Sequence, residues 1–158
     1  MKIGVISDTH NRELPNELLD AIKGCDLILH AGDLTELCVL DSLKKMSRVE
    51  AVCGNMDSPK VRSVLKDKKI LKVEGRKLCL IHGYGNPDRL IEVLKNELIP
   101  QKPDIIVFGH SHMPMNEYID GVLFFNPGSA TDTIFAPYRS YGIIEIEKGK
   151  IKASIHKL

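Results

Sequence analysis

The chain has 158 residues, 43% hydrophobic and 27% charged, enough to bury a core without disulfide staples. A net charge of +1, 5% aromatic residues and no Trp give no electrostatic or stacking case for nucleic acid or a membrane surface. The first run, Met1 to Ser7, meets Asp8 too soon to hold the ~7–15 apolar residues of a signal-peptide core, and no later run approaches the ~20 residues of a membrane span. A cytoplasmic protein is expected. Cys25, Cys38, Cys53 and Cys79 form no C-x-x-C pair and are read as small buried thiols.

In chain order, Lys2–Ser7 reads as a strand and Leu14–Ile22 as a helix, with Leu14, Leu18, Leu19 and Ile22 at helical spacing. Asp26–His30 is a second strand. Glu36–Met46 is a second helix with Leu37, Leu40, Leu43 and Met46 as its inner stripe, and Arg48–Cys53 is a third strand. Such alternation implies a parallel sheet with crossover helices. A basic stretch, Lys60, Arg62, Lys66, Lys68 and Lys69, reads as a solvated face. Beyond it, Ile70–Val73 and Lys77–Ile81 are strands joined through Glu74-Gly75-Arg76. Pro87–Leu98 is a third helix with Leu90, Ile91, Leu94 and Leu98 on one face, and Asp104–Phe108 a buried central strand. Asp120-Gly121 turns Asn116–Ile119 into Val122–Asn126, and Lys148-Gly149 turns Tyr141–Glu147 into Lys150–His156. With no linker or repeat, residues 1–158 read as one α/β domain with a hairpin-rich C-terminal part.

The polar residues fall in a pattern. His10, His30, His82, His110 and His112, five of the six histidines, follow or end strands, and Asp8, Asp33 and Asn55 take comparable places. Ligands of open α/β sheets bind outside the carboxyl ends of the strands, where loops converge. Each short motif alone is weak, because Gly32-Asp33 or Gly54-Asn55 is also an ordinary turn. The ordered set Asp8-x-His10, Gly32-Asp33, Gly54-Asn55, His82-Gly83, Gly109-His110-x-His112 is specific. Imidazole nitrogens with carboxylate and amide oxygens, and no thiolate, suit manganese, iron, zinc, cobalt or nickel better than calcium or a structural zinc, and manganese is the ion expected. Seven candidate ligands exceed one catalytic centre and suit two that share a carboxylate. Two metals ~3.5–4 Å apart activate a bridging water, as hydroxide, for in-line attack at phosphorus.

These motifs resemble the calcineurin-like metallophosphoesterase superfamily, in size most like its small archaeal and bacterial phosphodiesterase branch, which shares its fold with a retromer scaffold subunit. The resemblance runs from Asp8 through Asn126-Pro127-Gly128-Ser129 to the final hairpin. It implies a four-layer αββα sandwich, two divalent ions per chain and a small phosphodiester as substrate. By matching motif, Asp8, His10, Asp33 and His112 hold the first metal. Asp33 bridges to a second, completed by Asn55, His82 and His110, and Asn55 and His112 also act in catalysis.

One departure stands out. Many phosphatases of the superfamily carry a proton-donating histidine after the Gly-Asn pair, where this chain has Met56. Asp57 is the nearest replacement acid, with hydrogen bonding inside its loop as its alternative role. His30 is expected behind the ligands, orienting Asp33. Arg12 is a phosphate-contact candidate, Arg139 an ambiguous one, and His156 a surface residue. A nuclease and a non-catalytic protein-binding scaffold of the same fold are the competing functions. Oligomeric state is left open, a homo-oligomer included.

Overall fold

Strand β1 (Lys2–Ile6) is buried from Ile3 onward because it lies inside a sheet covered on both faces. After α1 (Asn16–Ile22), β2 (Leu27–His30) pairs parallel to it. After α2 (Leu37–Lys44), β3 (Val49–Ala51) pairs parallel to β2. A short helix α3 (Pro59–Val64) leads to β4 (Lys68–Val73) and β5 (Arg76–Ile81), an antiparallel pair around the two-residue Glu74-Gly75 turn. A 3₁₀ turn at Pro87–Arg89 opens α4 (Leu90–Leu98), followed by β6 (Ile105–Val107), the hairpin β7 (Met115–Ile119) and β8 (Val122–Asn126), and the hairpin β9 (Ser140–Glu147) and β10 (Lys150–Lys157). The structure, a computed structural model, describes residues 1–158.

Two mixed five-stranded sheets result, ordered β10-β9-β1-β2-β3 and β4-β5-β6-β8-β7. Strand alternation divides their side chains between layers. Ile3, Val5, Leu27 and Leu29 meet Leu78, Leu80, Val107 and Phe125 between the sheets. Ile6 and Ile28 face α1, α2 and α3, while Cys79, Ile106 and Phe124 face α4. The layers run α-β-β-α, as the resemblance implied. No helix is long and apolar enough to cross a membrane.

Element bounds shift by a few residues at most places. The first helix starts at Asn16 because Pro15 is its cap, and the second ends at Lys44. On α2 the buried residues are Val39, Leu40 and Leu43, with Leu37 and Met46 only half-buried. The basic stretch is not featureless: Ser58 caps α3, and Lys68 and Lys69 pair with Glu97 and Glu50. Cys38 corrects the reading of four buried thiols. It sits on the outer face of α2, exposed, with its S–H donating to Asn11 Oδ1, because Leu40 two residues on already points inward.

Candidate metal centre

Loops leaving β1, β2, β3, β5, β6 and β8 meet at one end of the two sheets, and they carry the polar residues there. Tight backbone bonds hold them together. The N–H groups of Asp8, His10 and Asn11 donate to the carbonyls of Gly32, Asp33 and Leu34, tying the β1 loop to the β2 loop. Gly109 N–H donates to His82 O, tying the β6 loop to the β5 loop. The turn after β8 clamps the other side: Ser129 Oγ donates to Asp8 O at 2.7 Å, and Asn126 Nδ2 to Gly109 O at 2.9 Å.

Five of the seven expected ligands have left-handed backbones: Asp8, His10, Asp33, His110 and His112 have φ of 54°, 47°, 56°, 69° and 56°. For a residue with a Cβ this conformation costs on the order of 1–3 kcal/mol, and such strain collects where a site over-determines it. Two glycines make the close approach possible. A Cβ on Gly54 would run into Asp33 Oδ1, and one on Gly109 would collide with Ser7 Oγ and come 2.7 Å from Asp8 Oδ2.

Five of the seven expected ligands fall in two overlapping groups. Asp8, His10 and His112 offer atoms within 4.8 Å of one another, and so do Asp8, Asp33 and His82. Hydrogen bonding on the far side of each ring decides which nitrogen faces inward. His82 Nδ1 donates to Ala31 O at 2.7 Å, His112 Nδ1 to Asp132 Oδ2 at 2.5 Å, and His110 Nε2 to Gly85 O at 2.8 Å. In the neutral rings this leaves His82 Nε2, His112 Nε2 and His110 Nδ1 as lone pairs pointing at other acceptors. Asn55 Oδ1 lies 3.1 Å from His82 Nε2 and 3.0 Å from His110 Nδ1, and Asp33 Oδ2 lies 3.4 Å from His82 Nε2. His112 Nε2 lies 3.2 Å from His10 Nε2 and 3.3 Å from Asp8 Oδ1. Asp8 Oδ1 is buried and has no hydrogen-bond donor.

Acceptors packed this closely, without a proton between them, repel unless a cation sits among them. The donor set is nitrogen and oxygen, which fits a borderline divalent ion. The residues present therefore fit the metal that the resemblance implied. Without metal, protons take the same place. Burial alone would lower the pKa of His82 and of His112. Hydrogen bonds to Asp33 and the charge of Asp8 outweigh it at His82, which is raised, and contacts with Asp8 and Asp132 push His112 up to about 9.

The remaining expectations fall as follows. The carboxylate common to both groups is that of Asp8; Asp33 lies in one, with its Oδ1 accepting the Met56 N–H at 2.7 Å. Asp57 is buried and accepts the Thr35 N–H at 2.5 Å and the Gly54 N–H at 2.7 Å, so both its oxygens hold the loop. Burial raises its carboxyl pKa despite those two bonds. His30 is buried behind the ligands: its Nδ1 accepts the Gly32 N–H at 3.2 Å, and Nε2 lies 3.1 Å from Thr9 Oγ1. Burial lowers it to about 3, so it stays neutral. Arg12 lines the cleft over the ligands and spends one N–H on Thr131 O. His156 stacks on Tyr141 in β10, away from the site.

Asp132 was missed by the sequence reading. Its carboxylate accepts N–H bonds from Ile134, Phe135 and Ala136 besides that of His112. Burial opposes its charge, but these bonds hold its pKa down to about 2. A carboxylate bonded to the outer nitrogen of a ligating histidine is the usual way a metal ligand is oriented. Nothing local in Thr131-Asp132-Thr133 announces this, since the partner lies 20 residues away.

An αββα sandwich with acceptor clusters at its strand ends is the architecture of the metallophosphoesterases. The chain belongs to the calcineurin-like phosphoesterase superfamily, whose domain matches residues 1–149. It is 42% identical over 139 residues to a "Probable metallophosphoesterase" of Methanocaldococcus jannaschii, covering 83% of this chain and 69% of that one. A protein of the same organism named a phosphodiesterase is 26% identical, covering 94% and 95%. The fold is also that of Vps29 from Entamoeba histolytica, solved in complex with Zn²⁺, at a TM-score of 0.75 and 24% identity with 99% of each chain covered.

Proposed function

We propose that the chain is a phosphodiesterase that hydrolyses small phosphodiesters with two divalent metal ions, manganese foremost. Asp8, His10, Asp33 and His112 hold one ion; Asn55, His82 and His110 hold the other, with Asp33 bridging. The observation that carries this reading is the set of inward lone pairs 3.0–3.4 Å apart around a buried, donorless Asp8 oxygen. Bound there, two divalent ions supply an activated water and stabilise both oxygens of an in-line displacement at phosphorus.

The chain's own residues then set what is accepted. Asn55, in the cleft lining, offers its amide N–H to the reacting phosphoryl group, and His112, its Nδ1 held by Asp132, acts through its metal-facing Nε2. Arg12 offers its remaining guanidinium N–H groups to a phosphate oxygen. A diester carries one negative charge where a monoester carries two, so a single arginine beside the metals is sufficient. Met56, at the leaving-group position, has no proton to give, and Asp57 is engaged by two amides. Esters whose leaving groups depart without protonation are therefore favoured. In this reading residues 1–158 work as one domain, in the cytoplasm, on small molecules rather than nucleic acid.

A scaffold is the second reading, supported by the likeness to Vps29. All seven expected ligand positions are filled, three of them by histidines whose outer nitrogens are held by Ala31, Asp132 and Gly85, and this favours the enzyme. Metal counting and turnover of bis(4-nitrophenyl) phosphate by Mn²⁺-reconstituted protein test the proposal. The expectation is about two ions per chain, both lost in Asp33→Ala, and one retained in Asp8→Ala. Should Asp8 span the centres, as its place in both groups allows, the two variants exchange behaviour. One tight ion, indifferent to both substitutions, would remove the two-metal reading. Two ions with no turnover of any ester would favour the scaffold.

A further inference from the structure

The cleft over the ligands, about 340 Å³, has a polar floor and an apolar rim. Met56, Ile134 and Phe135 line it beside His10, His112 and Asp33, yet they are 60%, 72% and 77% exposed. Single exposed apolar side chains need no explanation. Three brought from two distant loops to one cleft over a cation site are a different matter. Their backbone is held firmly. Asp132 accepts the N–H groups of Ile134 and Phe135 while its other partner is His112. Met56 N–H is tied to Asp33 Oδ1. The Phe135 ring centroid lies 6.5 Å from that of His112, with the planes at 70°, so the apolar face begins one ring away from the metal-facing imidazole.

We propose that Met56, Ile134 and Phe135 form a seat for a planar aromatic substituent of the phosphoester, so that preferred substrates carry an aromatic ring, an aryl group or a nucleobase, on one substituent of phosphorus. The inference rests on the phosphodiesterase reading and adds the substrate class. A ring fits because Phe135 offers an aromatic face or edge and Met56 a polarisable sulfur, both of which favour aromatic over alkyl partners. The seat is continuous with the polar floor, so one molecule covers both: its phosphoryl oxygens face the cation site and its ring covers the apolar side chains.

The test is calorimetric binding of three non-hydrolysable probes to the Mn²⁺-loaded protein: methylphosphonate, phenylphosphonate and a nucleoside 5′-phosphonate. Phenylphosphonate is expected to bind roughly tenfold tighter than methylphosphonate. Phe135→Ala, and independently Ile134→Ser, should shrink that gap to about twofold while methylphosphonate binding holds. A nucleoside probe tighter than phenyl assigns the seat to a base, and the reverse order to a small aryl group; either supports the seat. Equal affinity of the methyl and phenyl probes in the unaltered protein, or equal weakening of both by Phe135→Ala, overturns it while the metal site stands. Equal affinities with a self-association that Phe135→Ala abolishes make the rim an interface between two copies, which also overturns it. If no probe binds although metal is present, the phosphoesterase reading fails and the seat fails with it.

Discussion

His112 stands between two carboxylates, Asp132 at 2.5 Å from Nδ1 and Asp8 at 3.3 Å from Nε2. Burial works against its proton, but both contacts favour it and lift its pKa from 6.5 to about 9. The raised value means that, without metal, the proton's stabilising contribution is complete below about 6.5 and disappears as pH climbs through about 9. Metal affinity runs the other way, because an ion must displace that proton. Asp132→Asn keeps the shape and one acceptor but removes the charge that orients the ring. Affinity for divalent metal should fall ~10–100-fold, and proton release on binding at neutral pH should diminish. Calorimetry in buffers of different ionisation enthalpy measures both, and unchanged affinity would show that Asp132 serves only its loop.

At the scale of elements, the loop after β6 carries Gly109 because the β1 and β6 loops come closer there than a side chain allows. Gly109→Ala drives a methyl group into Ser7 and Asp8, so the loops must part. We expect a loss of ~1–3 kcal/mol from the overpacked contact and a larger loss of metal affinity, read by thermal unfolding and metal content. A variant that retained its full metal content would show that the loops yield without moving Asp8. Most elements were legible from sequence, since the continuous apolar runs of β1, β5 and β8 and the Leu90, Leu94 and Leu98 face of α4 are strong local signals. Helix α3 was not, because six residues with only Val61 buried cannot display a stripe. Its start was available in Ser58-Pro59, a cap followed by proline at the first helical position.

Across the whole molecule, the site is paired with a neutral histidine in the interior. Burial holds His30 near 3 against an ordinary 6.5, whereas an unfolded chain takes up a proton there below about 6.5. The metal-free protein should therefore lose stability as pH falls from 6.5 toward 3, by up to about 1.4 kcal/mol per pH unit. His82 and His112, raised in the fold, are protonated in both states over most of that window and add little slope. His30→Asn, whose amide oxygen can accept the Gly32 N–H, should flatten the loss seen in urea unfolding between neutral and mildly acidic pH. Equal slopes in the two proteins would place the acid lability elsewhere. The sequence by itself determined the order of the strands and of every helix but α3, the position of the candidate ligands just past the strands, and the family, because hydrophobic periodicity and short turn motifs are local. Only the tertiary structure decided that Asp8 falls in both ligand groups, that Asp132 bonds His112, that both Asp57 oxygens are taken by amides, and that Phe135 overhangs the cleft. The contacts to Asp8, His112 and the cleft join loops of different sheets, so they follow from how the two sheets stack. The Asp57 bond to the Thr35 N–H reaches across to the neighbouring loop of the same sheet, which no spacing encodes, whereas its bond to the Gly54 N–H stays inside one loop.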